Sequence, residues 1–496
     1  MSQQNNTSYR SILKATGVFG MMQVFRILIS VVSSKFVALY LGPIGLGLVS
    51  LLNNATSIIT AITNFEFLTV ATREVALIKG SEDNSALSKT IATLQKMAVF
   101  IGLFGAIVSL FFSKTLSYFT FGTQEKQHWF ILLSVYFIIT SFSNARMAIL
   151  QGMNNIKRLA ICNIIAAFLT ASGTIIIYYF YRIEGIIWVI LYSSVVLFLI
   201  TMYFTRNYSL KFTPFNLTEF YKQSSPIFKL GFFMSINLIL GQISKFIIKL
   251  YINDGGDSLQ IIGYYEVSIV ILVNYLGLIF NAMALDFYPK LSTISTDNEK
   301  VKQLVNNQIE IALILVTPAI VLMYIIAPFL IKLFYTAEFS SSFLILKMAL
   351  FSVILKAVVF PIGYIVLVKG NKKLFFKQAL FGDIVNLILS IVLYHFFGLF
   401  GLGLAAVLNG VFFGIYIYLM VNKHYNFNFF SEGKRLVLIN LFIGLVAIAI
   451  VYSFEQFYMY IFISILFIIS ALYSLKELNK RINLKHFISE KINRRK

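Results

Sequence analysis

Cations buried in apolar stretches are the first residues here that could do chemistry. Arg26, Lys96, Arg146, Lys245, Lys249, Lys347 and Lys356 all fall within or near the ends of hydrophobic runs. A charge at the centre of a membrane helix costs about 2.5–3.5 kcal/mol on insertion scales, so seven unpaired ones would cost roughly 17–25 kcal/mol. That exceeds the stability of a typical fold. They must reach the interface, find partners or line a wet cavity. Lys96, Lys249 and Lys347 lie near helix ends, where a long side chain can snorkel. Lys347 and Lys356 are nine residues apart, on opposite faces of one helix. Arg26 and Lys245 lie deeper. Candidates to bind an anion are therefore Arg26, Lys245, Lys249, Arg146 and Lys356.

Polar residues accompany these cations at helical spacing. Gln23, Arg26, Ser30 and Ser33 share one face of the first apolar run. Asn53, Ser57, Thr60 and Asn64 do so on the second. Asn237, Gly241, Lys245 and Lys249 follow by fours, with Gln242 beside them, and Glu266, Asn274, Gly277 and Asn281 line another stretch. A single stripe of this kind is helix–helix glue. Four of them with two deep cations favour a hydrated cavity, its polar lining drawn from Gln23, Asn53, Asn237, Gln242 and Asn274. Acids are scarce. Asp383 and Asn386 are three apart, with Ser390 continuing the face. Together with Glu266 they are candidates to couple transport to H⁺ or Na⁺, and a structural partnership with a nearby cation fits Asp383 equally well.

The elements that position these groups are membrane helices. Of 496 residues, 58% are hydrophobic and only 12% charged, with a mean hydropathy of +0.83. Soluble domains carry about twice that share of charge. About fourteen stretches reach the roughly 20 apolar residues that a crossing needs. The turn Leu41-Gly42-Pro43 separates the first two, since Pro cannot continue the first helix. The first helix is too long and too polar for a cleavable signal and is expected to act as its own insertion signal.

Three echoes run through the chain. Gly45-Leu-Gly-Leu-Val-Ser50 aligns with Gly263-Tyr-Tyr-Glu-Val-Ser268, and Gly152 in QGMNNIKR with Gly370 in KGNKKLFF, each about 218 residues on. Gly185 pairs with Gly401 at a slightly shorter shift. The fold expected is an all-α polytopic membrane protein. It holds two parallel six-helix repeats, 1–210 and 211–430, then two extra C-terminal helices at 431–476 and a basic cytoplasmic tail at 477–496. An even number of crossings gives both repeats one orientation, as in transporters whose halves are related by an axis along the membrane normal.

Several function classes drop out. The net charge of +21 follows from the excess of Lys and Arg in alternate loops, the positive-inside pattern, and not from nucleic-acid binding. The single cysteine, Cys162, allows neither an internal disulfide nor a thiolate metal site. His128, His395, His424 and His486 are scattered. No phosphate-binding Gly-rich loop with its Lys and no Gly-x-Ser-x-Gly occurs. No catalytic residues, metal or cofactor are expected.

The Arg in the first helix, the turn LGPIGLGLVSLL, the loops QGMNNIKR and KGNKK, and the paired repeats resemble the polysaccharide (O-antigen) translocases of the multidrug/oligosaccharidyl-lipid/polysaccharide (MOP) flippase superfamily. The resemblance covers essentially the whole chain. It implies two MATE-like lobes rocking about a central cavity, and an undecaprenyl-pyrophosphate-linked oligosaccharide as cargo. Membrane lipids and polysaccharide polymerase machinery are the other partners it implies. Arg26 sits where such flippases place a cation for the pyrophosphate. The last two helices would shape a groove for the lipid tail, as in the related peptidoglycan-precursor flippases. Those carry several Arg residues in the cavity, whereas this chain has mostly Lys, which disfavours that precursor as cargo. A MATE-like cation or drug antiporter would favour acids and aromatics. A membrane polymerase or ligase would need a long periplasmic loop, and the outside loops are short.

The resemblance implies a bacterial inner membrane, and loop charge bias puts both termini on its cytoplasmic side. Reporter fusions after Lys126, Asp254 and Glu338 are expected to read periplasmic, and fusions after Asp83, Asn216 and Asp297 cytoplasmic. One inverted reading would show a miscounted helix.

Overall fold

The computed structural model describes residues 2–80, 84–208, 217–253 and 258–482; for residues 2–24 and for Gly80, Asn84, Ile156, Leu217, Glu219, Phe233, Asn237, Ser258, Leu285 and Ile482 it describes the backbone only. Helices account for nearly all of them, and no strand occurs among the described residues. The chain divides into two compact units, Met1–Gln260 with Phe334–Thr336, and Ile261–Leu333 with Ala337–Lys496.

The first unit holds α1 (Ser2–Asn64), α2 (Phe67–Gly80), α3 (Asn84–Phe111), α4 (Ser113–Phe121), α5 (Gln127–Gly152), α6 (Ile156–Tyr181), α7 (Gly185–Thr205) and α8 (Leu217–Asn253). The second holds α9 (Ser258–Ile269) in most of its length, α10 (Gly277–Thr293), α11 (Asn298–Phe334), α12 (Ser342–Val368), α13 (Lys372–Tyr425), α14 (Ser431–Ser453) and α15 (Gln456–Ile482). Eleven helical runs among the described residues are long and apolar enough to cross a membrane. Three of them, of 40, 49 and 54 residues, are far longer than the roughly 20 that one crossing takes.

Each of those three is interrupted by one residue in left-handed backbone. Gly42 has φ 61° and ψ −172° within α1, and Gly398 has φ 56° and ψ −134° within α13. Arg182, between α6 and α7, has φ 48° and ψ −128°. The chain reverses at such points. A Cβ placed on Gly401 would lie 1.9 Å from the Leu393 carbonyl oxygen, although eight residues of straight helix span about 12 Å. Gly185 approaches Ile177 in the same way. Counting these three runs twice turns eleven into fourteen crossings among the described residues, as composition predicts. The fold class read from the sequence therefore stands. The echo between Gly185 and Gly401 reaches the backbone, because each follows the reversing residue by three positions.

Apolar packing fills the rest. In the first unit, Trp129, Phe130 and Leu133 of α5 are fully buried against Leu52, Ala55 and Ile59 of α1. In the second, α10, α11, α12 and the end of α13 share one core around Tyr324, Leu350 and Ile354. Asp297 starts α11 by accepting from the Glu299 and Lys300 backbone N–H groups, at 3.1 Å each. The Lys300 N–H holds its carboxyl below the usual range.

At the start of the C-terminal basic stretch, Arg481 is packed between two acids. Its Nε donates to Glu310 Oε2 at 2.7 Å and its Nη1 to Glu477 Oε2 at 2.7 Å, so it ties the end of α15 to α11. Two nearly buried carboxylates meet there, and a planar guanidinium can serve both. The part of the tail beyond 482 lies outside the described residues.

Arg182 occupies backbone that strains any side chain, at a cost of about 1–3 kcal/mol. Its guanidinium lies 5.1 Å over the Tyr40 ring, worth about 0.5–1 kcal/mol at an exposed site. Arg182→Gly is therefore expected to leave the thermal midpoint of the purified protein unchanged or raised. Gly398→Ala, which adds the strain without the ring contact, is expected to lower it. Equal losses in both variants would contradict this account.

Candidate functional site

The polar stripe predicted on the second crossing forms one wall of a cavity. Asn53, Ser57, Thr60 and Asn64, all on α1 after Gly42, line a space of about 410 Å³ in the first unit. Spacing of three and four residues turns them to one side. Across from them stand Ser235 and Gln242 of α8, with Tyr136 of α5 and Ser193 of α7. Glu66 follows α1 at one end of the lining, its backbone at φ 50°. Thr69 Oγ1 donates to Glu66 Oε2 at 2.8 Å.

The hydroxyls of this wall have one feature in common. Ser57 donates to the Asn53 carbonyl at 2.7 Å, Thr60 to Thr56 at 2.8 Å, Ser193 to Ile190 at 2.8 Å and Ser235 to Phe232 at 2.9 Å. Such back-bonding is the usual refuge of a hydroxyl in a helix. It leaves lone pairs, not protons, facing the cavity. These hydroxyls present acceptors, the Asn53, Asn64 and Gln242 amides both donors and acceptors, and no cation lines the space, so it suits a ligand rich in hydroxyl groups.

The predicted cations are dispersed. Lys249 does not snorkel; it is only 4% exposed. Its Nζ donates to Ser50 Oγ at 2.6 Å and to Asn54 Oδ1 at 3.1 Å, which clamps α8 to α1. Arg146, half-buried on α5, donates to Thr205 Oγ1 on α7 at 2.9 Å. Arg26 and Lys245 are exposed and line neither of the two larger cavities described in this section. Gln23 and Asn237 have side chains outside the described residues.

Lys356 belongs to a second cavity, about 550 Å³, within the second unit between α12 and α13. Its Nζ lies 5.0 Å over the Phe280 ring. Asn386 lines this cavity as well, with Ser352, Gln378 and Asn409. Asp383 is half-buried and is not part of that lining. Gln378 Oε1 and Asn409 Oδ1 are buried without a partner among the described residues. Lys347, on the other face of α12, lies 5.6 Å over both Phe343 and Tyr452. Glu266 is half-buried in α9, and Asn274 is exposed within a π-helical turn, Val270–Tyr275. Turns of that kind recur at functional sites.

Sequence reasoning found the α1 wall and Gln242 but not Tyr136, Ser193 or Ser235 opposite. Tyr136 has companions at i+4 and i+8, Thr140 and Asn144, and Ser235 lies seven residues before Gln242, but none of these spacings includes a charge that would single it out.

Residues 36–344 match the family described as polysaccharide biosynthesis protein. The chain belongs to that family. No curated protein matches it in sequence. Among solved structures, this family member resembles the lipid II flippase MurJ in an inward closed conformation, with 16% identity, a TM-score of 0.67, and 94% of this chain and 99% of that one covered. It also resembles a multidrug resistance MATE family transporter of the MOP superfamily in an inward-facing conformation, at 17% identity and TM-score 0.65, covering 81% and 95%. A third is a MOP superfamily transporter from Pyrococcus furiosus, at 14% identity and TM-score 0.55, covering 82% and 96%. At such identities the likeness establishes the fold. This member of the family is a multi-pass membrane protein with the all-helical fold of those structures.

Lys249 provides a test of clamp against cargo contact. Leaving a neutral buried acceptor unpaired costs about 1–3 kcal/mol, whereas leaving a buried charge without its partner costs about 3–5 kcal/mol. Lys249→Met is expected to lower the melting temperature modestly, and Asn54→Leu by more, by scanning fluorimetry of the purified protein. The opposite ranking would remove the clamp.

Proposed function

We propose that this protein is a flippase for undecaprenyl-pyrophosphate-linked oligosaccharide repeat units of an O-antigen or related surface polysaccharide. It moves them from the cytoplasmic to the periplasmic leaflet by alternating access and acts as a transporter, not an enzyme. It resides in the bacterial inner membrane with both termini cytoplasmic, where polysaccharide polymerase machinery would receive its product. The observation that carries this reading is the cavity wall of Asn53, Ser57, Thr60 and Asn64. Lone pairs and amides on a neutral wall match sugar hydroxyls. Family membership supports a role in polysaccharide biosynthesis.

The head group needs cations. Arg26 and Lys245 are exposed and, among the described residues, lack the partnership that holds Lys249. Arg26 has the stronger claim, because a planar guanidinium grips phosphate oxygens in pairs. A pyrophosphate carries about two negative charges, and each is worth about 2.3 kcal/mol per 100 mV. An inside-negative membrane would therefore favour outward passage, less whatever charge the cations carry along.

One observation favours a second reading. Glu66 and Tyr136 are an acid and an aromatic in the first unit's cavity, the equipment of a cation exporter. The two readings separate by mutation. As a flippase, Arg26→Ala is expected to lose most flipping of lipid-linked oligosaccharide in proteoliposomes, Arg26→Lys to recover part, and Lys245→Ala to fall between. Glu66→Gln is expected to retain it. Full activity of Arg26→Ala with no response to the sign of an imposed potential would overturn this mechanism. Loss on Glu66→Gln alone, together with efflux of organic cations, would favour the exporter.

A further inference from the structure

Two consecutive residues other than glycine stand in left-handed backbone where α1 gives way to α2. Phe65 has φ 47° and Glu66 φ 50°. Such a conformation costs about 1–3 kcal/mol per residue, persists only where the surroundings enforce it, and clusters at sites that hold ligands. The enforcement is visible here. The Phe65 carbonyl presses against α8, where a Cβ on Gly231 would lie 2.0 Å from its oxygen. The Phe65 ring is 5.9 Å from that of Phe228 and 6.3 Å from that of Phe232. The Glu66 carbonyl accepts from the Thr69 and Val70 N–H groups at 3.0 and 3.1 Å, which starts α2.

This turn fixes the place of one side chain. Glu66 is half-buried and, among the described residues, is the one charged group that lines the larger cavity of the first unit. An ionised carboxylate has about four lone-pair sites. Among the described residues only Thr69 Oγ1 uses one, on Oε2 at 2.8 Å, and Oε1 is unclaimed. A ligand here must bring donors. The Asn53 and Gln242 amides in the same lining both give and accept. An organic ammonium only gives, so it would leave the amide protons unanswered, whereas a sugar hydroxyl does both. The Tyr136 ring in the lining adds an apolar face for ring carbons. A carboxylate on the ligand would meet Glu66 with no cation in the lining to offset the repulsion.

We propose that Glu66 determines specificity in this cavity: its carboxylate accepts from the hydroxyls of a neutral sugar ring and turns acidic sugars away. The proposal rests on the flippase reading, within which it names the class of sugar that the cargo presents to the first unit.

The test uses the full-length protein in lipid nanodiscs and saturation-transfer NMR with two probes, methyl β-glucopyranoside and methyl β-glucuronide, which differ by one carboxylate. The expected result is binding of the glucoside at least about tenfold tighter than of the glucuronide. Glycine suits the backbone at 66, so Glu66→Gly is expected to melt at or above the wild-type temperature while its glucoside signal falls by about tenfold, the loss of one hydrogen bond to a charged group. Glu66→Gln keeps an acceptor oxygen without the charge, so it is expected to retain the glucoside and admit the glucuronide. Equal signals from both probes in the wild type would overturn the proposal, and so would a glucoside signal that survives Glu66→Gly. If Glu66→Gly fails to fold, an unchanged ratio of the two probes in Glu66→Gln overturns it. Flipping of polyprenyl-pyrophosphate-linked glucose in proteoliposomes, read alongside, separates the two claims. Glucoside binding that depends on Glu66 without flipping would sink the flippase reading and leave the sugar site, whereas flipping without glucoside binding would overturn the sugar site alone.

Discussion

A hydroxyl, amide or ammonium group taken into a bilayer loses several kcal/mol unless some other group replaces its water. This one constraint explains most polar geometry in the protein. Hydroxyls return their protons to the helix that bears them, as Thr56 and Thr60 do. Longer side chains reach a neighbouring helix, as Lys249 reaches Ser50 and Asn54 and Arg146 reaches Thr205. Where two acids come together, as Glu310 and Glu477 do, a guanidinium takes both.

The same constraint shapes the candidate site. A helix face whose hydroxyls satisfy their protons internally presents their lone pairs, with the Asn53 and Asn64 amides between them. Repeated along α1, this makes a neutral wall with directional hydrogen-bonding capacity. Such a wall can hold a hydroxylated ligand without the desolvation cost that a charged surface would bring.

Cations fall into two physical groups that look alike on paper. Lys249 is enclosed by polar partners and serves the packing of α8 on α1. Lys356 lies over an aromatic ring and faces a cavity with unpartnered amide oxygens, Gln378 Oε1 and Asn409 Oδ1. The difference lies in the neighbouring helix, not in the lysine or its position along its own helix.

Composition alone determined that this is a membrane protein, because only helices long enough to satisfy their own backbone can carry so apolar a chain. Helical periodicity determined which residues of α1 share a face, since side-chain direction follows from 3.6 residues per turn. Gly42 and Pro43 determined the first reversal. The sequence was silent on Arg182, which adopts the backbone that glycine holds at 398 and so bears no compositional mark. Tertiary structure decided which stripes meet a cavity and what stands opposite them. It also decided that Lys249 is a clamp, that Arg481 is paired, and that Asn386 reaches a cavity whose lining does not include Asp383. These outcomes depend on the distance and rotation between helices far apart in the chain, set by apolar packing around Trp129 and Tyr324, which no local spacing records.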